Sequence, residues 1–196
     1  MRTITTNVFQ FNELSEAAKK TAIAWFQSTI ESDDISRGVY DDAIAVAALF
    51  GLTIEKIYFT GFSSQGDGAC FEGGYRYVSG ALKAVKNYAP NDTELHSIVE
   101  RLAAVQGEYS NQLRATCEQR GHYHHSGCMT VNVWDDENQY NDIGGAEDTV
   151  TALLRLFADW IYSRLSENNN YLMSDTAVIE SIEANEYEFY ADGSKV

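Results

Sequence analysis

The chain alternates between segments with apolar residues at helical spacing and segments in which apolar and polar residues alternate one by one. Residues 3–11 are rich in β-branched and aromatic side chains, and this composition predicts a first strand. A helix is predicted over residues 12–30, where Asn12 or Ser15 can cap the start and apolar positions recur every three or four residues. Residues 31–38 are expected to break this helix.

The middle of the chain predicts a short helix, a hairpin and a long helix, in that order. The short helix covers residues 40–51 and ends at Gly51, and residues 52–80 contain two alternating segments joined by a glycine-rich turn. Apolar or aromatic side chains then recur at steps of three or four over residues 92–117, which predicts one long helix.

The last third predicts a strand, a long helix, a shorter helix and a closing strand. The strand covers residues 129–136 and the long helix residues 146–165, while Ser174 caps the shorter helix and residues 185–193 alternate up to an Asp-Gly turn. Because the strands alternate in polarity and the helices separate them irregularly, we expect an α+β fold, with an antiparallel sheet and helices packed mainly on one face. The length fits a single domain over residues 1–196.

The protein carries a strong excess of negative charge. Lys and Arg number 14 against 29 Asp and Glu, for a formal net charge of −15. Residues 131–196 hold 3 of the basic and 14 of the acidic residues, so the last third carries most of this charge. Because carboxylates repel phosphates, direct binding to nucleic acid or to an anionic membrane is not expected, and a basic protein partner fits better.

Cysteine usage and the start of the chain bear on the cellular compartment. Cys70, Cys117 and Cys128 are an odd number without a CxxC pair, which argues against a secreted disulfide framework. Residues 1–11 lack the apolar run of a signal peptide, and the longest apolar stretch is about half a membrane span. The expected location is the cytoplasm.

The glycine-rich stretch between the two hairpin strands matches a phosphate-binding loop only in part. Such a loop needs Lys followed by Ser or Thr after its last glycine, whereas Asp67 follows Gly66 here and would repel phosphate. The dinucleotide-binding pattern also fails, because these glycines join two strands instead of a strand and a helix. Gln65, Gly66, Asp67 and Gly68 are therefore expected to form a hairpin turn, for which a binding role stays open.

Residues 121–128 contain a cluster of side chains that can ligate metals. The cluster comprises His122, His124, His125 and Cys128. On a strand, His122 and His124 would share a face, and a nearby thiolate could complete a zinc or iron site for a metal-assisted enzyme. The alternative is a set of surface or interface histidines without a cofactor. A nucleophilic set of Cys70 or Cys128 with one of these histidines is also available, although no GxSxG-type elbow is present.

Two acidic segments carry the candidate partner-binding residues. They are Asp135, Asp136, Glu137, Tyr140 and Asp142 in the first segment, and Glu186, Tyr187 and Glu188 in the second. Tyrosines beside carboxylates are typical of protein interfaces, and an acidic patch speeds association with a basic groove, such as one that normally holds nucleic acid. The alternative is a solvated face that keeps the protein soluble. No catalytic residue is assigned.

Six segments of the chain together resemble a family of small phage and prophage proteins. They are FNELSEAAKKTAIAWF, IYFTGFSSQGDGACFEGGY, YAPNDTELHSI, RGHYHHSGC, DWIYSRL and ANEYEF. The second segment is similar to a shared signature, SGFxSQGDGAxF, with Thr60 in place of its first Ser. Proteins with this signature are commonly labelled as the antitoxin of a toxin–antitoxin stability system.

The resemblance covers nearly the whole chain and implies a phage-borne protein that is expressed inside bacteria. Such proteins often bind and block a host protein, and an acidic one can occupy a surface meant for DNA or RNA. The resemblance brings no catalytic residues with it. We therefore expect a non-enzymatic inhibitor of a bacterial protein, either a defence effector such as a CRISPR–Cas complex or a toxin, with the metal-assisted enzyme as the alternative.

Overall fold

The computed structural model of the protein describes residues 1–2, 5–137 and 143–196. In these ranges the chain forms, in order, β1 (Phe9–Gln10), α1 (Glu16–Gln27), α2 (Ser32–Leu49), β2 (Leu52–Thr60), β3 (Gly68–Arg76), α3 (Ala81–Tyr88), α4 (Thr93–Glu108), β4 (Leu113–Gln119), β5 (Met129–Asp135), α5 (Gly145–Leu172), α6 (Asp175–Ala184) and β6 (Glu188–Phe189). Short 3₁₀ turns also occur at Phe11–Glu13 and Ser126–Cys128. Among the described residues, no helix is both long enough and apolar enough to cross a bilayer.

The chain divides into two compact units. Unit 1 comprises Met1–Arg37 and Glu167–Val196, and unit 2 comprises Gly38–Ser166. The division falls within α2 and α5. It does not test the prediction of one domain over residues 1–196, which stays a prediction.

Unit 2 is built on a four-stranded antiparallel sheet with the strand order β2-β3-β4-β5. β2 and β3 form the predicted hairpin, in which Ile57 lies opposite Phe71 and Tyr58 lies opposite Cys70. β4 and β5 extend the sheet, and helices pack against it. The prediction of an α+β fold with an antiparallel sheet is therefore confirmed.

The alternation of side chains gives the sheet two different faces. On one face Phe71 is fully buried, and its ring centroid lies 6.0 Å from that of Phe157 in α5. The neighbours of Phe71 on β3, Cys70 and Glu72, point to the opposite face, because successive side chains of a strand alternate. The α5 helix thus covers one face of the sheet, and the polar groups described below lie on the other.

A buried glutamine closes the end of β4. β4 begins at Leu113, but its pairing with β3 ends at the pair of Arg76 and Arg114, so Leu113 has no partner residue on β3. Gln106 of α4, which is 0% exposed, donates from Nε2 to the carbonyl of Leu113 at 2.7 Å and accepts from its N–H at 3.1 Å. It also hydrogen-bonds to Tyr75, whose pKa burial raises to about 12. The side-chain amide thus takes the place of a neighbouring strand and fixes α4 to the sheet.

Unit 1 packs α1 against α6 around a small apolar core. The buried members of this core are Phe11, Leu14, Ala18, Ala22, Val178, Ile182 and Phe189. The ring centroid of Trp25 lies 5.3 Å from that of Tyr187 and 5.7 Å from that of Phe189, with the rings edge-on. Ser15, one of the two predicted caps, caps α1: its Oγ accepts a hydrogen bond from the N–H of Ala18 at 3.3 Å.

The break after the first helix lies earlier than the predicted residues 31–38, because α1 ends at Gln27 and α2 already begins at Ser32. Helix α2 begins at Ser32 and places Asp33 and Asp34 in its first turn. Carboxylates in this position favour a helix, because they face the positive end of its dipole. The two aspartates therefore belong to the first turn of α2 and not to the break between α1 and α2.

The prediction of one helix over residues 92–117 is wrong. Helix α4 ends at Glu108, and Ser110 and Asn111 follow with φ values of 52° and 64°, which reverse the chain into β4. A spacing of four residues keeps two side chains on one face of a strand as well as of a helix, so Leu113 and Cys117 fitted both patterns.

The remaining differences concern lengths and one extra helix. The terminal strands β1 and β6 have two residues each and are much shorter than predicted, and Thr3 and Ile4 of the first predicted strand lie outside the described residues. Helix α5 continues past the predicted end at Leu165 to Leu172. Helix α3 was not predicted, because its eight residues are too few for a clear periodic pattern.

Candidate functional site

A single carboxylate closes the glycine turn between β2 and β3. Oδ2 of Asp67 accepts the backbone N–H groups of Ser63 at 2.7 Å and Ser64 at 2.6 Å. The N–H of Asp67 in turn donates to the carbonyl of Ser64 at 3.0 Å. The stretch that includes Gln65 lies in the hairpin turn, as predicted, and Asp67 holds the chain reversal in place.

The loop of residues 121–128 packs directly on this turn. A Cβ atom added at Gly66 would lie 2.1 Å from Cδ1 of Tyr123, and one added at Gly68 would lie 2.5 Å from Cα of His125. Both distances are far below a van der Waals contact. The two glycines therefore make room for the loop. The two motifs are more than 50 residues apart in the sequence, and the structure brings them together.

The four residues proposed as metal ligands occupy different environments. His122 is exposed, while His124 is half-buried with its ring centroid 5.3 Å from that of Tyr58 and with its buried Nδ1 lacking a hydrogen-bond partner. Sγ of Cys128 lies 3.5 Å from Nε2 of His125. In the part of the chain that the structure describes, no three His, Cys, Asp or Glu side chains form a group that could hold a metal ion. The zinc or iron site stays a prediction.

A polar network lies beside this loop, on the face of the sheet opposite α5. Glu72 accepts the hydroxyl of Tyr58 at 2.9 Å and the backbone N–H of Gln119 at 3.4 Å. Cys70 is buried next to Glu72, and its thiol pKa is raised to about 12 by burial and, to a smaller extent, by Cys128 and Glu72. The thiol of Cys70 is therefore protonated at neutral pH.

The first acidic segment is only partly available to a partner. Asp135 is 9% exposed, and its Oδ1 accepts the N–H of Glu137 at 3.0 Å, so it contributes little to an external surface. Asp136 is exposed and forms a salt bridge of 3.0 Å with Arg114. Glu137 is exposed. The other two candidates, Tyr140 and Asp142, lie outside the described residues.

The second acidic segment is more open. Glu186 and Glu188 are exposed, whereas Tyr187 is half-buried against Trp25 and has Nζ of Lys195 5.5 Å from its ring centroid. Two further exposed glutamates, Glu180 and Glu183, precede it on α6, and we call these four glutamates the acidic segment of unit 1. In the described residues no ion pair engages any of the four. Glu180 and Glu183 join this segment because both side chains are exposed.

Two of the depressions among the described residues are large enough to consider as sites, and the sequence predicted neither. In unit 2, a cleft of about 610 Å³ is lined by Asp42, Tyr88 and Asp92 among others. Two of its carboxylates already have partners, since Tyr88 donates to Asp42 at 2.5 Å and Trp160 to Asp92 at 2.7 Å. In unit 1, a groove of about 470 Å³ borders α6. No sequence signal could have located either depression, because residues far apart in the chain line each of them.

The fold and these sites define an α+β protein in which a long helix covers one face of a four-stranded antiparallel sheet and the loop of residues 121–128 packs on the glycine turn of the hairpin. Residues 36–175 match the family described as a domain of unknown function, DUF8835, and the chain belongs to this family. The match spans the whole of unit 2. No curated protein and no solved structure matches the chain.

Proposed function

We propose that this protein is a phage-encoded, non-enzymatic inhibitor that acts in the bacterial cytoplasm by binding and blocking a host protein through an acidic surface. The observation that carries the proposal is the acidic segment of unit 1, in which Glu180, Glu183, Glu186 and Glu188 are all exposed. The resemblance to phage proteins with the SGFxSQGDGAxF signature is consistent with it. The target is a defence effector such as a CRISPR–Cas complex, or a toxin.

The chemistry of this segment favours a basic partner. Four carboxylates within nine residues create a concentrated negative potential, which attracts a cationic surface and speeds association. The half-buried Tyr187 lies within the segment and can serve as an aromatic anchor next to the charges. A groove that normally binds nucleic acid is the type of surface with the matching charge, since it must neutralise phosphates.

The test is the recovery of a partner from bacterial lysate with the tagged protein, at low and at high salt. The wild-type protein is expected to retain a stoichiometric partner that salt removes. The double variant Glu186→Lys/Glu188→Lys is expected to lose that partner. A matched control, Glu100→Lys/Glu108→Lys, makes the same change of net charge on the exposed part of α4 and is expected to keep it.

The blocking part of the proposal needs a separate measurement. The recovered partner is purified, and its activity, for example cleavage of DNA or RNA, is assayed with increasing amounts of the wild-type protein or of the double variant. Inhibition that saturates at a fixed stoichiometry is expected for the wild type. Equal recovery of the partner by all three proteins, or full activity of the bound partner, would contradict the proposal.

A second candidate function is a metal-assisted enzyme centred on the loop of residues 121–128. It is favoured by the 3.5 Å contact between Cys128 and His125 and by the buried Nδ1 of His124 that has no hydrogen-bond partner. This candidate predicts stoichiometric zinc or iron in protein that was purified without an affinity tag, and its loss in the His124→Ala variant. Metal-free wild-type protein from cells grown with both metals would count against it.

A further inference from the structure

The groove of unit 1 is formed where the ends of several helices meet. Phe26 and Ile30, from the C-terminal part of α1 and the residues after it, line one side, and Tyr171 and Leu172, from the end of α5, line another. Helix α6 contributes Glu180. The groove has a volume of about 470 Å³, which lies within the range of about 300–1,000 Å³ that is usual for binding sites.

The floor of the groove is apolar and its surroundings are fixed by hydrogen bonds. Phe26, Ile30 and Leu172 are half-buried, and Tyr171 is 60% exposed despite its aromatic ring. Nε2 of Gln27 donates to the carbonyl of Met173 at 2.8 Å and so ties the end of α1 to the residue after α5. The apolar side chains are thus held in place without filling the space between them.

The charge of the rim is of one sign. Among the described residues, the side chains that line the groove and carry a charge at neutral pH are Asp34 and Glu180, and both are acids. Oδ2 of Asp34 is fixed in position by the N–H of Glu31, at 2.9 Å. Glu180 is exposed and belongs to the acidic segment of unit 1. An apolar floor between two carboxylates is complementary to a chain that presents apolar side chains flanked by Lys or Arg.

We infer that this groove binds an amphipathic helix of the partner protein. The apolar face of that helix lies on Phe26, Ile30 and Leu172, and its Lys or Arg side chains face Asp34 and Glu180. Grooves between helices accept helical ligands in this way, with apolar anchors at positions i, i+3 or i+4 and i+7. The inference rests on the proposed function and adds to it the type of element that the partner supplies.

The test uses a defined probe, a fluorescently labelled 15-residue amphipathic peptide of Leu and Lys, whose binding is followed by anisotropy at moderate salt. Two peptides serve as controls: a scrambled peptide of the same composition, which has no apolar face, and a Leu/Glu peptide. The wild-type protein is expected to bind the Leu/Lys peptide at least about tenfold more tightly than the scrambled one. Equal binding of the two peptides would overturn the inference.

Two variants of α6 separate the groove from general charge attraction. Glu180→Lys changes a residue of the groove, whereas Glu183→Lys makes the same change of charge one turn further on, outside the lining. We expect about a tenfold loss of affinity for the first and less than about threefold for the second. Tyr171→Ala changes an exposed residue of the groove without changing the net charge, and it is expected to weaken binding of the Leu/Lys peptide as well.

The outcomes distinguish failure of this inference from failure of the proposed function. Equal losses for Glu180→Lys and Glu183→Lys would leave the acidic segment in place as a binding surface and refute the groove. The groove would also be refuted, and the acidic segment kept, if recovery of the lysate partner depended on Glu186 and Glu188 while the wild-type protein did not bind the Leu/Lys peptide. A dimer that sedimentation detects in the wild type and not in Glu180→Lys would assign the groove to a second copy of the chain and would also overturn the inference.

Discussion

Replacing Gln106 by leucine removes the two hydrogen bonds that hold the first residue of β4 to α4. Because leucine is similar in size, the packing around position 106 is largely kept, while the N–H and C=O of Leu113 lose their partners. Leu113 is itself fully buried. A buried polar group that loses its partner costs about 1–3 kcal/mol, so the two groups together cost about 2–6 kcal/mol. This is a large part of the roughly 5–15 kcal/mol that stabilises a typical protein.

The assay is urea-induced unfolding followed by circular dichroism and tryptophan fluorescence. Glu100→Ala, at an exposed position of the same helix, serves as the control and is expected to stay within about 0.5 kcal/mol of the wild type. Hydrogen exchange of the Leu113 amide provides a local readout, and we expect its protection to fall in Gln106→Leu. A loss of less than about 1 kcal/mol with Leu113 still protected would refute the role assigned to Gln106.

Three further predictions concern the loops and the sheet. Gly68→Ala places a methyl group against His125 and is expected to lower the free energy of unfolding by about 1–3 kcal/mol. The control Gly107→Ala, in open space on α4, should raise the free energy of unfolding by about 0.5–1 kcal/mol, and chemical denaturation measures both variants. Asp67→Ala is expected to cost about 1–2 kcal/mol and to speed amide exchange in residues 63–64, and unchanged exchange would contradict its closing role. Burial raises the pKa of the Cys117 thiol to about 12, while the unfolded chain titrates near about 8.5 and releases its proton first. The stability that this thiol confers is therefore complete below about pH 8.5 and falls as the pH rises towards 12, so urea midpoints measured from pH 8 to 11 should decline less steeply in Cys117→Ala.

The elements that local chemistry determines could be predicted from the sequence. Ser15 caps its helix, Gly51 adopts a φ of 88° at the end of α2, and the alternation in β2 and β3 gives the hairpin. In each case the signal is contained within a few neighbouring residues. The same reasoning failed at Leu113 and Cys117, where a spacing of four suits both a helix and a strand and the decision lies in the chain reversal before them.

The candidate sites could be predicted only in part, because they depend on which distant residues meet. The glycine turn and the histidine loop are separate motifs in the sequence, and nothing in either motif indicates that Gly66 lies against Tyr123. Asp135 also belongs to an acidic run in the sequence, although its side chain is buried and accepts a hydrogen bond from the backbone N–H of Glu137. Composition reports how many carboxylates a chain has, whereas burial decides which of them reach a partner.

The contact between Gly66 and Tyr123 has a consequence for how this family can diverge. The space that a side chain at position 66 would need is occupied by the ring of Tyr123, with only 2.1 Å to its nearest atom. A relative that carries alanine or serine at position 66 must therefore carry a smaller residue at position 123, turn the exposed Tyr123 side chain away, or move the loop. The two positions are expected to vary as a linked pair among relatives, so that a change at one is inherited together with a compensating change at the other.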